Sequence, residues 1–326
     1  MNKKIALVTG GYSGEAVISY KTAIAIEKSI DRDKWDIYKI DINPDGWACI
    51  ATNENRYPVD KNDFSITING ERINFDAVLV ALHGTPGEDG KLQGYFDCIR
   101  IPYTSCDAAT SALTFNKRFT VAVASFAGMQ VARSVHLFRG IPLHTERVLS
   151  ELHLPVFVKP NNGGSSIGIS KVNQPDELQG AIEKAFLEDD QVLVEEVIKG
   201  REFTIGLFRS KGKIILLPIT EIIPKNEFFD FEAKYEGASE EITPALIDEA
   251  IAAKIREAAK RTYTLFNCNG IVRMDYIYDE IDGNPYLLEI NTVPGQTEAS
   301  LIPQQVRAMG MSMKEFYTLL IEECFN

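Results

Sequence analysis

Short apolar runs alternate with longer amphipathic stretches over the first hundred residues of the chain. The strand-like runs cover residues 5–8, 36–41 and 77–82, and the helix-like stretches cover residues 16–29 and 92–99. The run at 5–8 is continuously apolar, which is typical of a strand buried on both faces, and the alternation of strand-like with helix-like segments favours parallel pairing. This part of the chain therefore predicts a doubly wound parallel α/β module.

The pattern changes after residue 107. A helix is predicted to end near Gly128, followed by a short strand at 130–133 and a strand at 156–159 that Pro160 stops. A polar Gly/Ser segment at 161–168 comes next, between two strand-like runs, which is typical of the tip of a hairpin. We interpret this part as a second module.

The last part of the chain returns to strand-like patterns framed by two helices. Strands are predicted at 202–208, 213–219, 270–278 and 286–291, a polar loop at 224–243, and helices at 244–266 and 312–324. Thr243 followed by Pro244 predicts the N-cap and first turn of the longer helix. Its core face is predicted from apolar residues at helical spacing, namely Leu246, Ile247, Ala250, Ile251, Ile255 and Ala258.

Composition and charge narrow the classes of function. Hydrophobic residues make up 45% and charged residues 25%, the usual balance of a globular protein. The net charge is −12, which disfavours nucleic acid or an anionic membrane as the main partner. The apolar start at 5–8 is too brief for a signal peptide, no apolar stretch matches a bilayer span, and the five cysteines form no Cys-x-x-Cys pair. We expect a cytoplasmic protein with reduced thiols.

Two neighbouring predicted strands carry the most informative polar side chains. Arg273 and Asp275 lie two residues apart on one strand, as do Glu289 and Asn291 on the next, so each pair shares a face. If the strands pair, three oxygen ligands and one guanidinium converge, and such oxygen ligands suit Mg²⁺ bridged to phosphate. A surface ladder of ion pairs accounts for this cluster equally well when it is considered alone.

Glycine-rich turns supply candidate sites for anions. The turn at 10–15 joins the first strand to the first helix, although its glycines alone fit an ordinary turn. The turn at 292–295 follows Asn291, and Gly295 permits close approach of an oxyanion to backbone N–H groups. Ser300 and Leu301 precede Pro303 at a predicted helix start, which fits either a carboxylate site or simple N-capping.

Lysines provide the local positive charge that a phosphate needs in an acidic protein. Lys159 ends a buried strand directly before the Gly/Ser segment, Lys117 opens a helix and Lys234 lies in the polar loop. A single lysine is usually solvated, and only the position of Lys159 argues otherwise.

These segments together resemble the D-alanine–D-alanine ligase family of ATP-grasp enzymes, and the resemblance extends from Gly10 to the last helix. The matching blocks, in chain order, are GGYSGE (10–15), LHGTPGEDGKLQG (82–94), VKPNNGGSSIG (158–168), EFTIG (202–206), DFEAKY (230–235), RMD (273–275) and LLEINTVPGQT (287–297).

The resemblance implies an α/β, or α+β, ATP-grasp fold in three parts. These would be an N-terminal doubly wound α/β domain at 1–104, a central ATP-grasp subdomain with the Gly/Ser loop at 105–196, and a C-terminal ATP-grasp subdomain at 197–326 with the metal site and a lid loop. The implied reaction is ATP-dependent formation of D-alanyl-D-alanine through D-alanyl phosphate, for peptidoglycan synthesis. The implied assembly is a homodimer.

Family roles transfer onto matching positions. Glu15, hydrogen-bonded to Ser165 and Tyr235 and with His83 nearby, would hold the first D-alanine. Lys117, Lys159 and Lys234 would bind ATP phosphates beside Ser165 and Ser166, while Glu195, Glu196, Val197 and Ile198 would read adenine and Glu202 the ribose. Asp275, Glu289 and Asn291 would bind two Mg²⁺ or Mn²⁺ ions, Arg273 and Gly295 would stabilise the oxyanion, and Ser300 and Leu301 would hold the second D-alanine.

Three positions depart from the usual family pattern. Gly163 stands where an acidic residue is common, Asn116 where an Asp often precedes the lysine, and Ala16 where a basic residue often follows Glu15. Alternatives within the same class are a D-alanine–D-lactate or D-serine ligase, or another ATP-grasp carboxylate ligase. A nucleotide-binding regulatory protein without catalysis would not need Arg273 and its three neighbouring oxygen ligands together.

Overall fold

The computed structural model describes residues 2–51, 53–163, 167–224 and 239–326. The strands of the described residues are β1 (Lys3–Gly10), β2 (Trp35–Asn43), β3 (Gly46–Ile50), β4 (Arg56–Asp60), β5 (Ser65–Ile68), β6 (Glu71–Ile73), β7 (Ala77–Val80), β8 (Ser134–Phe138), β9 (Val156–Pro160), β10 (Ser170–Val172), β11 (Gln191–Glu196), β12 (Arg201–Ser210), β13 (Lys213–Leu216), β14 (Thr220–Pro224), β15 (Ser239–Ile242), β16 (Val272–Asp279) and β17 (Asn284–Asn291). The helices are α1 (Ala16–Ser29), α2 (Lys91–Ile99), α3 (Ala108–Phe115), α4 (Lys117–Phe126), α5 (Thr145–Glu151), α6 (Leu178–Glu188), α7 (Glu249–Leu265), α8 (Leu301–Ala308) and α9 (Met313–Glu323).

The first sheet has the order β6-β5-β4-β3-β2-β1-β7. Its centre is parallel as expected, because β1 pairs in parallel with both β2 and β7. Helix α1 and the C-terminal helix α9 cover one face of β1, while α2 covers the other. The strands β3 to β6 pair in antiparallel fashion and were not predicted. They form a meander that extends only one edge, so the parallel core consists of the three predicted strands and the whole sheet is wider than the sequence suggests.

The second sheet is antiparallel with the order β10-β9-β11-β8. One face packs its valines against helix α6. The alternation of strand side chains therefore turns Phe157, Lys159 and Glu195 towards the opposite face. Residues 130–133, predicted as a strand, lie just before β8 and are not a strand; the alternating apolar residues Val135 and Leu137 begin the strand later.

The third sheet has the order β15-β14-β12-β16-β17, with β13 also paired to β12. Its two faces differ. Phe203, Ile205 and Met274 pack against helix α7, together with residues of α4. Thr204, Gly206, Arg273 and Asp275 point to the other face, which α8 and α9 partly cover. The polar candidate residues are thus separated from the apolar core by one layer of strand.

The long helix α7 begins at Glu249 and not at Pro244, so the predicted helix start was wrong. The Thr243 hydroxyl hydrogen-bonds to the Thr220 hydroxyl at 2.6 Å, and the Ala245 N–H donates to the Ile219 carbonyl at 2.8 Å. These hydrogen bonds hold residues 243–245 against the third sheet, and the helix therefore begins later in the chain. Leu246, predicted as core, is consequently 78% exposed, whereas Ile255 is fully buried as predicted.

The three sheets follow the order of the three predicted domains, whose boundaries stay a prediction. Helices α3 and α4 belong to the predicted central part by sequence, yet they contact β17 of the third sheet. Among the described residues, no helix has both the length and the apolar character needed to span a bilayer.

Candidate active site

Strands β16 and β17 bring the predicted polar cluster together. Their antiparallel register places Arg273 opposite Asn291 and Asp275 opposite Glu289, with a bulge directly after Asp275. Alternation along paired strands puts all four side chains on one face, as the sequence predicted. The cluster lies on the face of the third sheet that is turned away from α7.

Arg273 joins the two carboxylates of this cluster. Its Nη2 lies 2.8 Å from Oδ2 of Asp275 and 3.1 Å from Oε1 of Glu289. Burial by itself would lower the pKa of Arg273, but the carboxylates of Asp275 and Glu289 raise that pKa above its ordinary value. The guanidinium therefore stays charged and keeps a fixed positive group beside two oxygen ligands.

Glu15 and Glu88 approach this cluster from the first sheet. Glu15 is the N-cap residue of α1, and Gly84 makes room for its carboxylate, since a Cβ at residue 84 would lie 2.5 Å from Glu15 Oε2. Glu88 accepts a hydrogen bond from the Gly84 N–H at 2.6 Å. Burial and the charge of Glu15 raise the pKa of Glu88 to about 8, while Arg273 opposes the shift.

His83 is buried between three segments of the chain. Its backbone N–H donates to the Ser19 hydroxyl at 2.9 Å, its Nε2 lies 2.9 Å from the Thr22 hydroxyl, and its ring also hydrogen-bonds to the Val293 backbone. Burial lowers the pKa of His83 to about 4, against the effect of the Val293 hydrogen bond. His83 is therefore neutral at physiological pH and joins helix α1 to the turn at 292–295.

The turn at 292–295 and the start of α8 contain the candidate residues Gly295 and Ser300. Ser300 occupies the N-cap position of α8 and makes no capping hydrogen bond with its side chain. Its hydroxyl instead lies 2.7 Å from the Thr297 hydroxyl and accepts from the Thr297 N–H at 3.1 Å. A Cβ added at Gly295 would lie 3.0 Å from Ser300 Oγ, so Gly295 keeps this turn close to the helix start.

The two described lysines of the predicted phosphate site lie at the second sheet. Lys159 forms an ion pair with Glu195, and their side chains are only 16% and 10% exposed. Lys117 is the first residue of α4 and donates to the Gly163 carbonyl at 2.7 Å. The Lys117 ammonium therefore lies at the start of the Gly/Ser segment, whereas the Lys159 ammonium faces Glu195, a pair that was not anticipated.

The segment at 195–198 lies where strand β11 ends. Glu196 points away from Lys159 and accepts hydrogen bonds from the backbone and ring of His153. The Val197 N–H donates to the Pro155 carbonyl at 3.1 Å, and Ile198 follows it in the chain. Glu202 lies near the start of β12, on the same face as Thr204 and Asp275.

Four predicted site residues lie outside the described residues, namely Ser165, Ser166, Lys234 and Tyr235. The predicted loop at 224–243 falls largely outside them as well. Its described ends are adjacent strands, because Pro224 of β14 pairs with Ser239 of β15.

Three residues near the cluster were given no role by sequence reasoning. Glu88 belongs to the quoted block at 82–94, where an acidic side chain in a glycine-rich turn after a buried strand was the available signal. Thr204 donates to Oδ1 of Asp275 at 2.5 Å, and Gln305 of α8 is completely buried against β12. Only the strand register shows that Thr204 lies opposite Asp275.

The oxygen ligands of the cluster suit Mg²⁺ by their chemistry. Asp275, Glu289 and Asn291 offer only oxygen atoms, and hard divalent cations prefer oxygen. Within the described ranges, no group of three or more His, Cys, Asp or Glu side chains is placed to hold a metal ion. Two carboxylates and an amide fit a metal whose remaining ligands are phosphate oxygens and water.

Family comparisons cover nearly the whole chain. The family described as D-ala D-ala ligase N-terminus matches residues 4–106, and the family described as D-ala D-ala ligase C-terminus matches residues 115–322. A D-alanine–D-alanine ligase of Parabacteroides distasonis is 47% identical over 99% of this chain and 98% of its own length.

Solved structures agree with these matches. The VanG D-Ala:D-Ser ligase from Enterococcus faecalis superposes with a TM-score of 0.89 at 33% identity, over 99% of this chain and 100% of the other. A D-alanine–D-alanine ligase from Bacillus anthracis complexed with ATP gives a TM-score of 0.79 at 27% identity, over 99% of this chain and 97% of the other.

Proposed function

The chain belongs to the D-alanine–D-alanine ligase family of ATP-dependent, peptide-bond-forming ligases, and from this premise we propose that it joins two D-alanine molecules through a D-alanyl phosphate. The observation that carries the proposal is the convergence of Arg273, Asp275 and Glu289 on one sheet face, with Glu15 approaching from the first sheet. The product serves peptidoglycan synthesis in the cytoplasm.

The reaction begins with activation of a carboxylate. A carboxylate is a poor electrophile, so the γ-phosphoryl group of ATP is transferred to it first. Lys117 and Lys159 bind the phosphates, and two Mg²⁺ ions held by Asp275, Glu289 and Asn291 neutralise charge on them when bound. Glu15 holds the ammonium of the first D-alanine and so orients its carboxylate towards the γ-phosphate.

Attack by the amine of the second D-alanine then creates a negative oxygen on the activated carbonyl carbon. Arg273 and the Gly295 N–H stabilise this oxyanion in the proposed reaction, and phosphate leaves as the amide forms. Ser300 and Leu301 hold the carboxylate of the second D-alanine at the start of α8. Val197 and Ile198 with the backbone of Glu195 and Glu196 bind adenine, and Glu202 binds the ribose.

Five further residues complete the proposed site. The proposal assigns Ser165 and Tyr235 to hold Glu15, Ser166 to the phosphate loop and Lys234 to the γ-phosphate, and all four lie outside the described residues. His83 supports the first subsite from behind, since its ring nitrogens are engaged with Thr22 and the Val293 backbone.

A direct product assay tests the proposal. The protein with ATP and Mg²⁺ should form D-alanyl-D-alanine, ADP and phosphate when D-alanine is added, and none of the dipeptide with L-alanine. Absence of dipeptide at every D-alanine concentration would refute the assignment.

D-Serine is the second candidate for the second substrate, because one of the similar solved structures is that of a D-Ala:D-Ser ligase. Equal concentrations of D-alanine, D-serine and D-lactate should yield mainly D-alanyl-D-alanine by mass spectrometry. If D-alanyl-D-serine or D-alanyl-D-lactate were the main product, the second substrate would be D-serine or D-lactate instead of D-alanine.

We also propose a homodimer, in keeping with the family resemblance. Helix α1 presents an apolar stripe of Val17, Tyr20 and Ile24, each more than a third exposed and spaced along one helical face. Light scattering should give twice the mass of 36.3 kDa, and a mass of one chain at micromolar concentration would contradict the dimer.

A further inference from the structure

Strand β12 changes its neighbour in the middle of the third sheet. On one side it pairs with β16 along residues 201–207. On its other side it pairs with β14 at residues 202–204 and with β13 at residues 207–210. Between the Thr204–Thr220 pair and the Leu217 N–H, which donates to the Gly206 carbonyl at 2.8 Å, no strand continues the ladder on this second side. Buried backbone groups at this gap require partners.

The side chain of Gln305 fills this junction. Its Oε1 accepts from the Gly206 N–H at 2.9 Å, and its Nε2 donates to the Thr204 carbonyl at 3.1 Å and to the Thr220 hydroxyl at 3.0 Å. The primary amide thus replaces a short piece of strand. Gln305 and Thr220 are both 0% exposed, so these hydrogen bonds form away from water, where a missing partner is costly.

Gly206 allows the helix to approach the strand this closely. A Cβ at this position would lie 2.6 Å from Ile302 Cδ1 and 2.8 Å from Gln305 Oε1. These two contacts are made by α8, and a third, to Leu217 Cδ1 at 2.8 Å, is made by the residue after β13. The close packing of α8 on β12 therefore depends on the amide of Gln305 and on the missing side chain of Gly206.

The strand positions that Gln305 contacts are those that face the reactive cluster. Thr204 lies opposite Asp275 and donates its hydroxyl to Oδ1 of Asp275 at 2.5 Å, while Gly206 lies opposite Arg273. Five residues before Gln305, Ser300 begins the same helix, about 7.5 Å away along the axis at 1.5 Å per residue. One side chain therefore links the start of α8 to the strand beside Arg273 and Asp275.

We propose that Gln305 is a positioning residue for the second amino-acid subsite, fixing the start of α8 relative to the Arg273–Asp275 pair. This inference rests on the proposed function, which places the second carboxylate at Ser300. Small displacements of a substrate away from its productive position reduce the rate of attack strongly. Loss of the Gln305 amide weakens the second subsite while nucleotide binding at the second sheet is retained.

The test compares substrate saturation with nucleotide binding. Gln305→Met keeps the length of the side chain and removes its hydrogen bonds. We expect the KM for the second D-alanine to rise about tenfold, the order of effect of one or two lost hydrogen bonds. The Kd of Mg·ADP, measured by calorimetry without D-alanine, should stay within about twofold of wild type.

Gly206→Ala disturbs the packing of α8 on β12 from the side of the strand. It should also raise the KM for D-alanine and leave the Kd of Mg·ADP unchanged. Thr220→Val removes one of the three hydrogen bonds of Gln305, together with the contact of the Thr220 hydroxyl with Thr243, and should raise KM less than Gln305→Met does. Thr220→Ser keeps the hydroxyl and should leave KM near the wild-type value. Thr262→Val is the matched control, because the buried Thr262 hydroxyl lies 2.8 Å from the Tyr276 hydroxyl on the opposite face of the same sheet. Thr262→Val should lower the melting temperature and leave D-alanine saturation unchanged.

Three results would overturn the inference. These are unchanged D-alanine saturation in folded Gln305→Met and Gly206→Ala, equal weakening of D-alanine and Mg·ADP, and a KM increase in Thr262→Val as large as in Gln305→Met. If Gln305→Met does not fold, Gly206→Ala and the two Thr220 variants decide the question. A wild-type protein that forms no dipeptide would refute the proposed function itself, which is a separate outcome.

Discussion

Replacing the ionisable ring of His83 should weaken the decrease in unfolding free energy that occurs as the pH falls. His83 has an ordinary pKa of 6.5 when exposed, and burial lowers it to about 4 in the folded protein. The unfolded chain therefore takes up a proton between these two values while the folded protein does not. Stability is present in full above pH 6.5 and falls as the pH approaches 4.

The two pKa values set the size of the effect. For a single group with these values, linkage gives a loss of about 1.4 kcal/mol between pH 7.5 and pH 5.5, and about 2.5 kcal/mol by pH 4.5. His83→Gln cannot take up the proton, and its amide oxygen keeps an acceptor for the Thr22 hydroxyl. The variant starts less stable at pH 7.5 because its fit is imperfect, but it lacks this part of the pH dependence.

Urea unfolding of wild type and His83→Gln at pH 7.5, 6.5, 5.5 and 4.5 measures how the unfolding free energy of each protein depends on pH. Contributions from titrating groups that the two proteins share cancel in the difference. The gap in unfolding free energy should narrow by about 2.5 kcal/mol from pH 7.5 to pH 4.5. A gap that stays constant would show that His83 is protonated in the folded protein near its ordinary pKa. The interpretation of His83 as a neutral link between α1 and the turn at 292–295 would then be wrong.

Two further variants test the charged groups of the site. Lys159→Ala should weaken ATP binding at least tenfold, because it removes a charge-assisted phosphate contact, and should lower the melting temperature, because it leaves Glu195 buried without its cation. Adding Glu195→Gln should restore the melting temperature but not ATP binding. Full recovery of both would contradict a phosphate role for Lys159. Glu289→Gln should reduce turnover at least a hundredfold at ordinary Mg²⁺ with a normal melting temperature, because a neutral amide binds divalent cations poorly. The control Glu280→Gln, at an exposed position, should be fully active. Near-normal turnover of Glu289→Gln would place the metal elsewhere.

The elements that follow from local sequence were predicted closely. The structure confirms the apolar runs of β1 and β9 and the final helix predicted at 312–324, which depend on neighbouring residues. The strands β3 to β6 are short and partly exposed, so their apolar pattern is weak and they were missed. The false helix start at Thr243 has a different cause, because Thr220 holds that hydroxyl across 23 residues of sequence.

The candidate site was predictable where its residues fall in pairs along a strand. Arg273 and Asp275 share a face by alternation alone, and only the pairing with β17 had to be assumed. Gln305 and Thr204 gave no such signal, since a glutamine in an amphipathic helix and a threonine in a strand are ordinary at those positions. Their roles depend on a junction between three strands that no local pattern reveals.

Oxygen transfer from D-alanine to phosphate is the most direct test of an acyl-phosphate reaction in this site. With both carboxylate oxygens of D-alanine labelled as ¹⁸O, one labelled oxygen becomes the bridge of the acyl phosphate and leaves with phosphate when the amine attacks. We expect one ¹⁸O atom in the released phosphate for each D-alanyl-D-alanine formed, measured by mass spectrometry or by the ³¹P shift. Dipeptide formed with unlabelled phosphate would contradict carboxylate phosphorylation as the first step.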